Sequence, residues 1–261
     1  MKRTYVKLLT VAGLTGCFLF TSCRSAQETT ARYEISKVEG NMITIDSTWD
    51  ANPDKKATTV LKPYKDKVDA MMYEVIGTSE MKMDKGTPES LLSNLVASVL
   101  QEAAAQVLGK PADMGLVNMG GLRNILPKGD ITVGAVFEIL PFENSLCVLT
   151  MKGTDMKRLF KAIASLHGEG VSGIRLEINK KGELLNATIG GKPVVNDQLY
   201  TVATIDYLAD GNGRMDAFLQ VEKRECPEDA TLRGLFLDYV RKQTAEGKII
   251  TSKLDGRITV K

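Results

Sequence analysis

Leu140–His167 reads LPFENSLCVLTMKGTDMKRLFKAIASLH, and this stretch decides the fold. Pro141 to Ser145 is a polar, turn-forming opening. Leu146 to Met151 is an apolar run of the length of a buried strand. From Gly153 to His167 the period changes. Met156, Leu159, Phe160 and Ile163 recur at three- and four-residue spacing, which puts them on one face of a helix. A strand that feeds an amphipathic helix buries its face by packing in layers.

Working outward, strand and helix patterns alternate without a regular βαβ beat. Towards the N-terminus, Met114–Asn118 is a short strand entering Met119-Gly120-Gly121-Leu122-Arg123, where two glycines permit a sharp turn. Before it, Leu91, Leu92, Leu95, Val96, Val99 and Leu100 give a helix a wide apolar face, with Thr87 as its N-cap and Pro88 in its first turn. Val75–Thr78 is a short strand. From Ala57, the residues Val60, Leu61, Tyr64, Val68, Met71 and Met72 form a helical face suited to packing. Towards the C-terminus, Ile174–Ile178 and Leu184–Ile189 flank a Lys181-Gly182 hairpin turn. Leu199–Ile205 alternates as a strand and ends at Asp206-Tyr207. A helix over Thr231–Ala245 and a strand at Ile258–Val260 close the chain. The class is α+β, a single domain with a mixed β-sheet packed by helices.

Composition excludes several chemistries. With 34 Lys+Arg against 32 Asp+Glu in 261 residues, there is no electrostatic case for nucleic-acid binding. The single histidine, His167, cannot supply the imidazoles of a two-metal hydrolytic centre. It ends a helix and reads as a surface residue. Neither a G-x-S-x-G elbow nor a Walker loop occurs. No catalytic residue and no metal site is assigned.

The N-terminus carries Lys2, Arg3 and Lys7, then an uncharged run from Leu8 to Phe20. That run is shorter than the roughly 20 residues a membrane span needs. Residues 1–23 therefore read as a secretory signal. Cys17 and Cys23 each sit in a setting that resembles the lipobox of bacterial lipoproteins. Cys23 is favoured for lipidation because it follows the last apolar residue and opens a polar stretch. The alternative is a plain cleaved signal. Residues 24–56 are a polar tether with a hairpin over Tyr33–Val38 and Met42–Ile45, and residues 57–261 are the folded domain. Cys147 and Cys226 are read as free thiols, Cys147 in the core.

Six segments in order resemble the C-terminal domain of the 5'-nucleotidase family: Glu89–Leu95, Asn118–Arg123, Gly129–Thr132, Leu140–Asn144 with Leu149–Gly153, Tyr200–Gly211, and Asp255–Ile258. The resemblance implies a nucleotide-binding domain separated from its metallophosphatase half. Phe142 and Tyr207 match two rings that sandwich a base. Asn144 matches a position at the base edge, and Asn118 and Arg123 match the polar pair of the glycine turn. Arginine suits phosphate because its planar fork bonds two oxygens. Two positions depart from the family pattern: Pro88 replaces an arginine, and Gly213 stands where an aspartate is common. The resemblance implies no cofactor in this chain, divalent metals only in a separate metallophosphatase partner, and a nucleotide or nucleoside ligand; the N-terminal signal and its lipobox-like cysteines point to an exported, lipid-anchored location on a bacterial membrane. The competing reading is a non-enzymatic scaffold that kept the fold and lost the ligand.

Overall fold

The computed structural model describes residues 34–261, so the signal, both candidate lipidation cysteines and Tyr33 lie outside the described residues. The chain divides into two units at Pro53–Asp54. In the first, the hairpin expected around Met42 does not form. Residues 34–45 have no regular structure, and Ile35, Val38, Met42, Ile43 and Ile45 are all exposed. Two short strands alone have no third layer to bury a face against. A single 3-10 turn, Ser47–Ala51, follows, with the Asp46 carboxylate accepting from Thr48 N.

The second unit begins with α1 (Lys55–Met72), capped by Asp54, whose side chain accepts from Lys56 N and Ala57 N. Its expected packing face is a correction. Val60, Leu61, Tyr64, Val68 and Met71 stand exposed, and only Met72 packs. The helix instead rests on its cap and on the i,i+4 pairs Lys62–Asp66 and Lys65–Asp69. Met72 backs Gly134, where a Cβ would come within 3.0 Å of the Met72 carbonyl.

In chain order there follow β1 (Val75–Ser79), α2 (Leu91–Ala103), α3 (Ala105–Leu108), β2 (Met114–Val117), β3 (Gly129–Thr132) and α4 (Val133–Ile139). Next come β4 (Leu146–Lys152), α5 (Gly153–Ser165), β5 (Gly170–Ser172), β6 (Ile174–Ile178), β7 (Leu184–Ile189), β8 (Lys192–Pro193) and β9 (Leu199–Ile205). The last are α6 (Asp206–Ala209), β10 (Lys223–Glu225), α7 (Leu232–Ala245) and β11 (Ile258–Val260). The strand and helix of the opening stretch are β4 and α5, and Met156, Leu159, Phe160 and Ile163 are all buried. The cap of α2 is Ser90 rather than Thr87: its hydroxyl accepts from Ser93 N. Pro88 and Glu89 stay outside the helix because the Glu89 carboxylate accepts from Asp255 N and Arg257 N.

Among the described residues three sheets form, ordered β10-β4-β9-β2-β5, β11-β6-β7-β8 and β1-β3. The first positions the site. In it β4 is antiparallel to β9, β9 is parallel to β2, and β2 is antiparallel to β5. Helix α2 lies so close over β2 that a Cβ on Gly115 would meet the Ala97 carbonyl at 2.2 Å.

Cys147 and Cys226 are not free thiols but a disulfide, with a Cα–Cα distance of 4.2 Å. Edge strand β10 pairs Glu225 with Val148, and continuing that antiparallel register puts Cys226 opposite Cys147. The bond closes a sequence separation of 79 residues. Nothing in the spacing reveals it, because it depends on β10 joining the sheet edge. A long closed loop restricts the unfolded chain, so Cys226→Ser is expected to lower unfolding stability by about 2–4 kcal/mol. Chemical denaturation checks this; a midpoint identical to that of the parent would mean the bond is absent in solution.

Candidate functional site

The first sheet ends level at one edge. Leu146 opens β4 opposite Ile205, which closes β9. The parallel register of β9 with β2 carries Ile205 to Val117, and Val117 pairs with Gly170 at the start of β5. Four chain segments therefore leave or enter the sheet side by side: Phe142–Asn144 before β4, Asp206–Tyr207 after β9, Asn118–Gly121 after β2, and Glu169 before β5. Segments remote in sequence meet there because strand pairing aligns their ends, not because of any local preference.

Between them lies a cavity of about 340 Å³ lined by Asn118, Gly120, Gly121, Phe142, Asn144 and Tyr207. All but one of the residues expected to meet ligand line it. The two rings are 50% and 44% exposed, open faces rather than core filling. Arg123, the remaining expected residue, stands at the rim. Its guanidinium lies 6.0 Å from the centre of the Phe142 ring and donates to Gly120 O at 3.3 Å.

Each wall is braced. The Asn144 amide donates to Asp206 Oδ1 at 2.9 Å, and Tyr207 N donates to the same oxygen at 2.7 Å. One carboxylate thus ties the segment of one ring to the segment of the other. Arg233, buried on α7, donates to Leu140 O and Pro141 O and to Glu143 Oε1, and lies 4.2 Å over the Phe137 ring. It fixes the turn that presents Phe142. In the third wall, a Cβ on Gly121 would come within 3.0 Å of Asn118 Oδ1, so the glycine lets the Asn118 side chain fold over the turn. Asn118 Oδ1 is buried and, among the described residues, has no hydrogen-bond donor.

Glu169 accepts from Met119 N, the first residue of the glycine turn. Burial pushes its carboxyl up to about 7, opposed by that hydrogen bond. The native state then holds a proton that the unfolded chain has released. Stability from this group falls as pH rises through the window from 4.5 to about 7.

The two departures have structural outcomes. Gly213 adopts φ +65°, and a Cβ there would meet Leu208 at 3.0 Å, so this turn favours glycine where the family often has aspartate. Nearby Asp210 pairs with Arg224 at 2.7 Å. Pro88 packs against Gly168, where a Cβ would meet the Pro88 carbonyl at 2.3 Å. Asp206, Arg233 and Glu169 escaped the sequence reading. Their partners lie 62 to 93 positions away for the first two and 50 for the third, and only Glu169, set between Gly168 and Gly170, carries a local signal. A larger open groove of about 710 Å³ runs past Gln101, Asp113, Lys192, Gln198 and Tyr200. Two of its polar groups are engaged within the protein: the Gln101 amide donates to Ala112 O, and the Asp113 carboxylate accepts from Thr201.

Aligned strand ends carrying two open rings and a glycine turn define an α+β domain with a candidate ligand cleft at one sheet edge. The profile of the family described as 5'-nucleotidase, C-terminal domain, matches residues 75–220, and the chain belongs to that family. The 5'-nucleotidase precursor of Thermus thermophilus superposes with a TM-score of 0.67 at 26% identity, covering 81% of this chain and 44% of that one. The trifunctional nucleotide phosphoesterase protein YfkN of Bacillus subtilis is 27% identical over 238 residues, 84% of this chain and 16% of YfkN. The cell wall protein Lmo0130 of Listeria monocytogenes is 27% identical over 240 residues, 81% of this chain and 30% of Lmo0130. The chain spans less than half the length of each of these relatives.

The bracing predicts a cost for removing Arg233 donors. Arg233→Met keeps an apolar stem beside Phe137 but leaves two carbonyls without their donor, and is expected to cost about 1–3 kcal/mol of stability. Urea unfolding of the two proteins measures it, and equal midpoints would show that the turn is held by other means.

Proposed function

We propose that the chain is an exported, lipid-anchored domain that binds a nucleotide or nucleoside between Phe142 and Tyr207 and acts in nucleotide hydrolysis with a separate metallophosphatase. The observation that carries this is one cavity flanked by two exposed rings, with the buried acceptor of Asn118 on its wall. Its volume falls in the range of small-molecule sites, about 300–1,000 Å³. A base has two flat faces for the rings and N–H or O–H donors for Asn118 Oδ1. Arg123 at the rim supplies a cation where a phosphate would emerge. The family membership and a relative named as a nucleotide phosphoesterase support the same ligand class.

The proposed division of labour is physical. Metal ions in a partner generate hydroxide and polarise the phosphoryl group. This domain holds the base and orients the phosphate; such positioning removes about 7–11 kcal/mol of barrier in the most favourable cases. Among the described residues there is no group of three His, Cys, Asp or Glu side chains placed to hold a metal. Lipidation at Cys23 would tether the domain, since each buried methylene contributes about 0.8 kcal/mol. A relative named as a cell wall protein supports export. The loss of the family arginine at Pro88 and aspartate at Gly213 favours a second reading, a scaffold without ligand.

Titration with AMP, UMP, adenosine and a UDP-sugar separates the two readings. At least one is expected to bind, and Phe142→Ala or Tyr207→Ala is expected to weaken it by about 1–3 kcal/mol without loss of fold. A folded protein that binds none of them is a scaffold. In cells, Cys23→Ser is expected to release the protein from the membrane fraction and to abolish acyl labelling. Release by Cys17→Ser alone would move the anchor to that residue, and a parent protein that is unlabelled and absent from the membrane fraction would have a plain cleaved signal.

A further inference from the structure

Glu169 is a partly buried carboxylate that the ligand reading leaves without a role. Its backbone is pinned on both sides. A Cβ on Gly168 would meet the Pro88 carbonyl at 2.3 Å, and one on Gly170 would meet Val117 Cγ1 at 2.6 Å and Ser93 Cβ at 3.0 Å. Gly170 pairs with Val117, so the same antiparallel register sets Glu169 opposite Asn118. Its carboxylate then reaches Met119 N, the first amide of the turn whose Asn118, Gly120 and Gly121 line the cavity.

Among the described residues no cation offsets this charge. The charged groups on neighbouring elements are engaged elsewhere. Arg123 donates to Gly120 O, Lys85 donates to Leu122 O, and Glu89 accepts from Asp255 N and Arg257 N. His167, two residues before Glu169, is exposed in a left-handed conformation. A carboxylate partly withdrawn from water without a counter-ion is costly for stability, and groups perturbed in this way concentrate at functional sites.

We infer that Glu169 is a positioning residue for the cleft: its ionised carboxylate holds the Met119 N–H and so sets the Asn118–Gly121 wall, coupling ligand binding to a proton on Glu169. The inference rests on the nucleotide reading for its ligand and on strand register and hydrogen bonding for its geometry. Ionised, the group is a strong acceptor and the wall is fixed. Protonated, it accepts weakly and the turn loosens. Burial raises the carboxyl to about 7, which places the change in the neutral range.

The test begins without ligand. Amide signals of Met119, Gly120 and Gly121 in the isotope-labelled chain are followed from pH 5.5 to 8.5. They are expected to move together with one midpoint near neutrality, and to stay flat in Glu169→Gln, which keeps the acceptor but cannot ionise. Flat signals in the parent, or the same titration in the variant, would overturn the inference. If the variant does not fold, the parent titration still decides. Adenosine, which carries no phosphate charge, is then titrated at pH 6 and pH 8. Binding is expected to be about fivefold or more tighter at pH 8, and to differ by less than twofold in Glu169→Gln. Equal affinity in the parent overturns the coupling. If adenosine does not bind, AMP, UMP and the UDP-sugar are titrated in its place; binding of none of them at either pH would overturn the cleft reading and the coupling with it, while the amide titration would separately report whether Glu169 holds the turn.

Discussion

The molecule depends on the level at which four strands of one sheet meet. Leu146, Ile205, Val117 and Gly170 fall in one row because the β4–β9, β9–β2 and β2–β5 registers agree. A slip of one residue in any of these pairs would turn a buried face outward. It would also move a ring, an amide or a carboxylate out of the common edge. The register is therefore the constraint that makes a site from segments spread over some ninety positions, from Asn118 to Tyr207. The core enforces it. Leu116, Val117, Leu146, Cys147, Val148, Val202 and Ala203 are all buried, which leaves no low-cost alternative alignment.

On that edge the protein arranges polar side chains as struts and leaves aromatic faces open. Asp206 joins the two ring segments through one oxygen, and Arg233 pins the Phe142 turn from beneath. For Arg233, which is buried, an unmade bond would leave a donor facing a dry interior, so its bonds fix one conformation. The rings, by contrast, keep about half their surface in solvent. Open rings beside a fixed polar frame suit a flat ligand with hydrogen-bonding edges. The wall carrying Asn118 differs from the other two, because the group behind it is a carboxylate that changes charge near neutral pH.

The sequence made the elements and most of the cleft legible for identifiable reasons. Strand β4 is marked by a continuous apolar run and helix α5 by a local period. Phe142, Tyr207, Asn118 and Asn144 were found through ordered segments that resemble a known family, and the fold brings them to one cavity. What was not legible depends on tertiary pairing. The Cys147–Cys226 bond requires edge strand β10, a three-residue strand with no apolar pattern of its own. Helix α1 has a genuine apolar stripe, but periodicity reports only that a face exists, not that anything covers it. The cap of α2 moved from Thr87 to Ser90 because Glu89 is drawn to the backbone at Asp255 and Arg257, distant in sequence.

The central claim is that the aligned strand edge is where ligand enters. Backbone and side-chain amide shifts recorded on adding AMP to the isotope-labelled chain test it most directly. Entry of ligand at this edge would place the largest changes on Asn118, Gly120, Gly121, Asn144 and Tyr207. Changes confined to the larger groove around Gln101, Lys192 and Gln198, or none at saturating nucleotide, would contradict it.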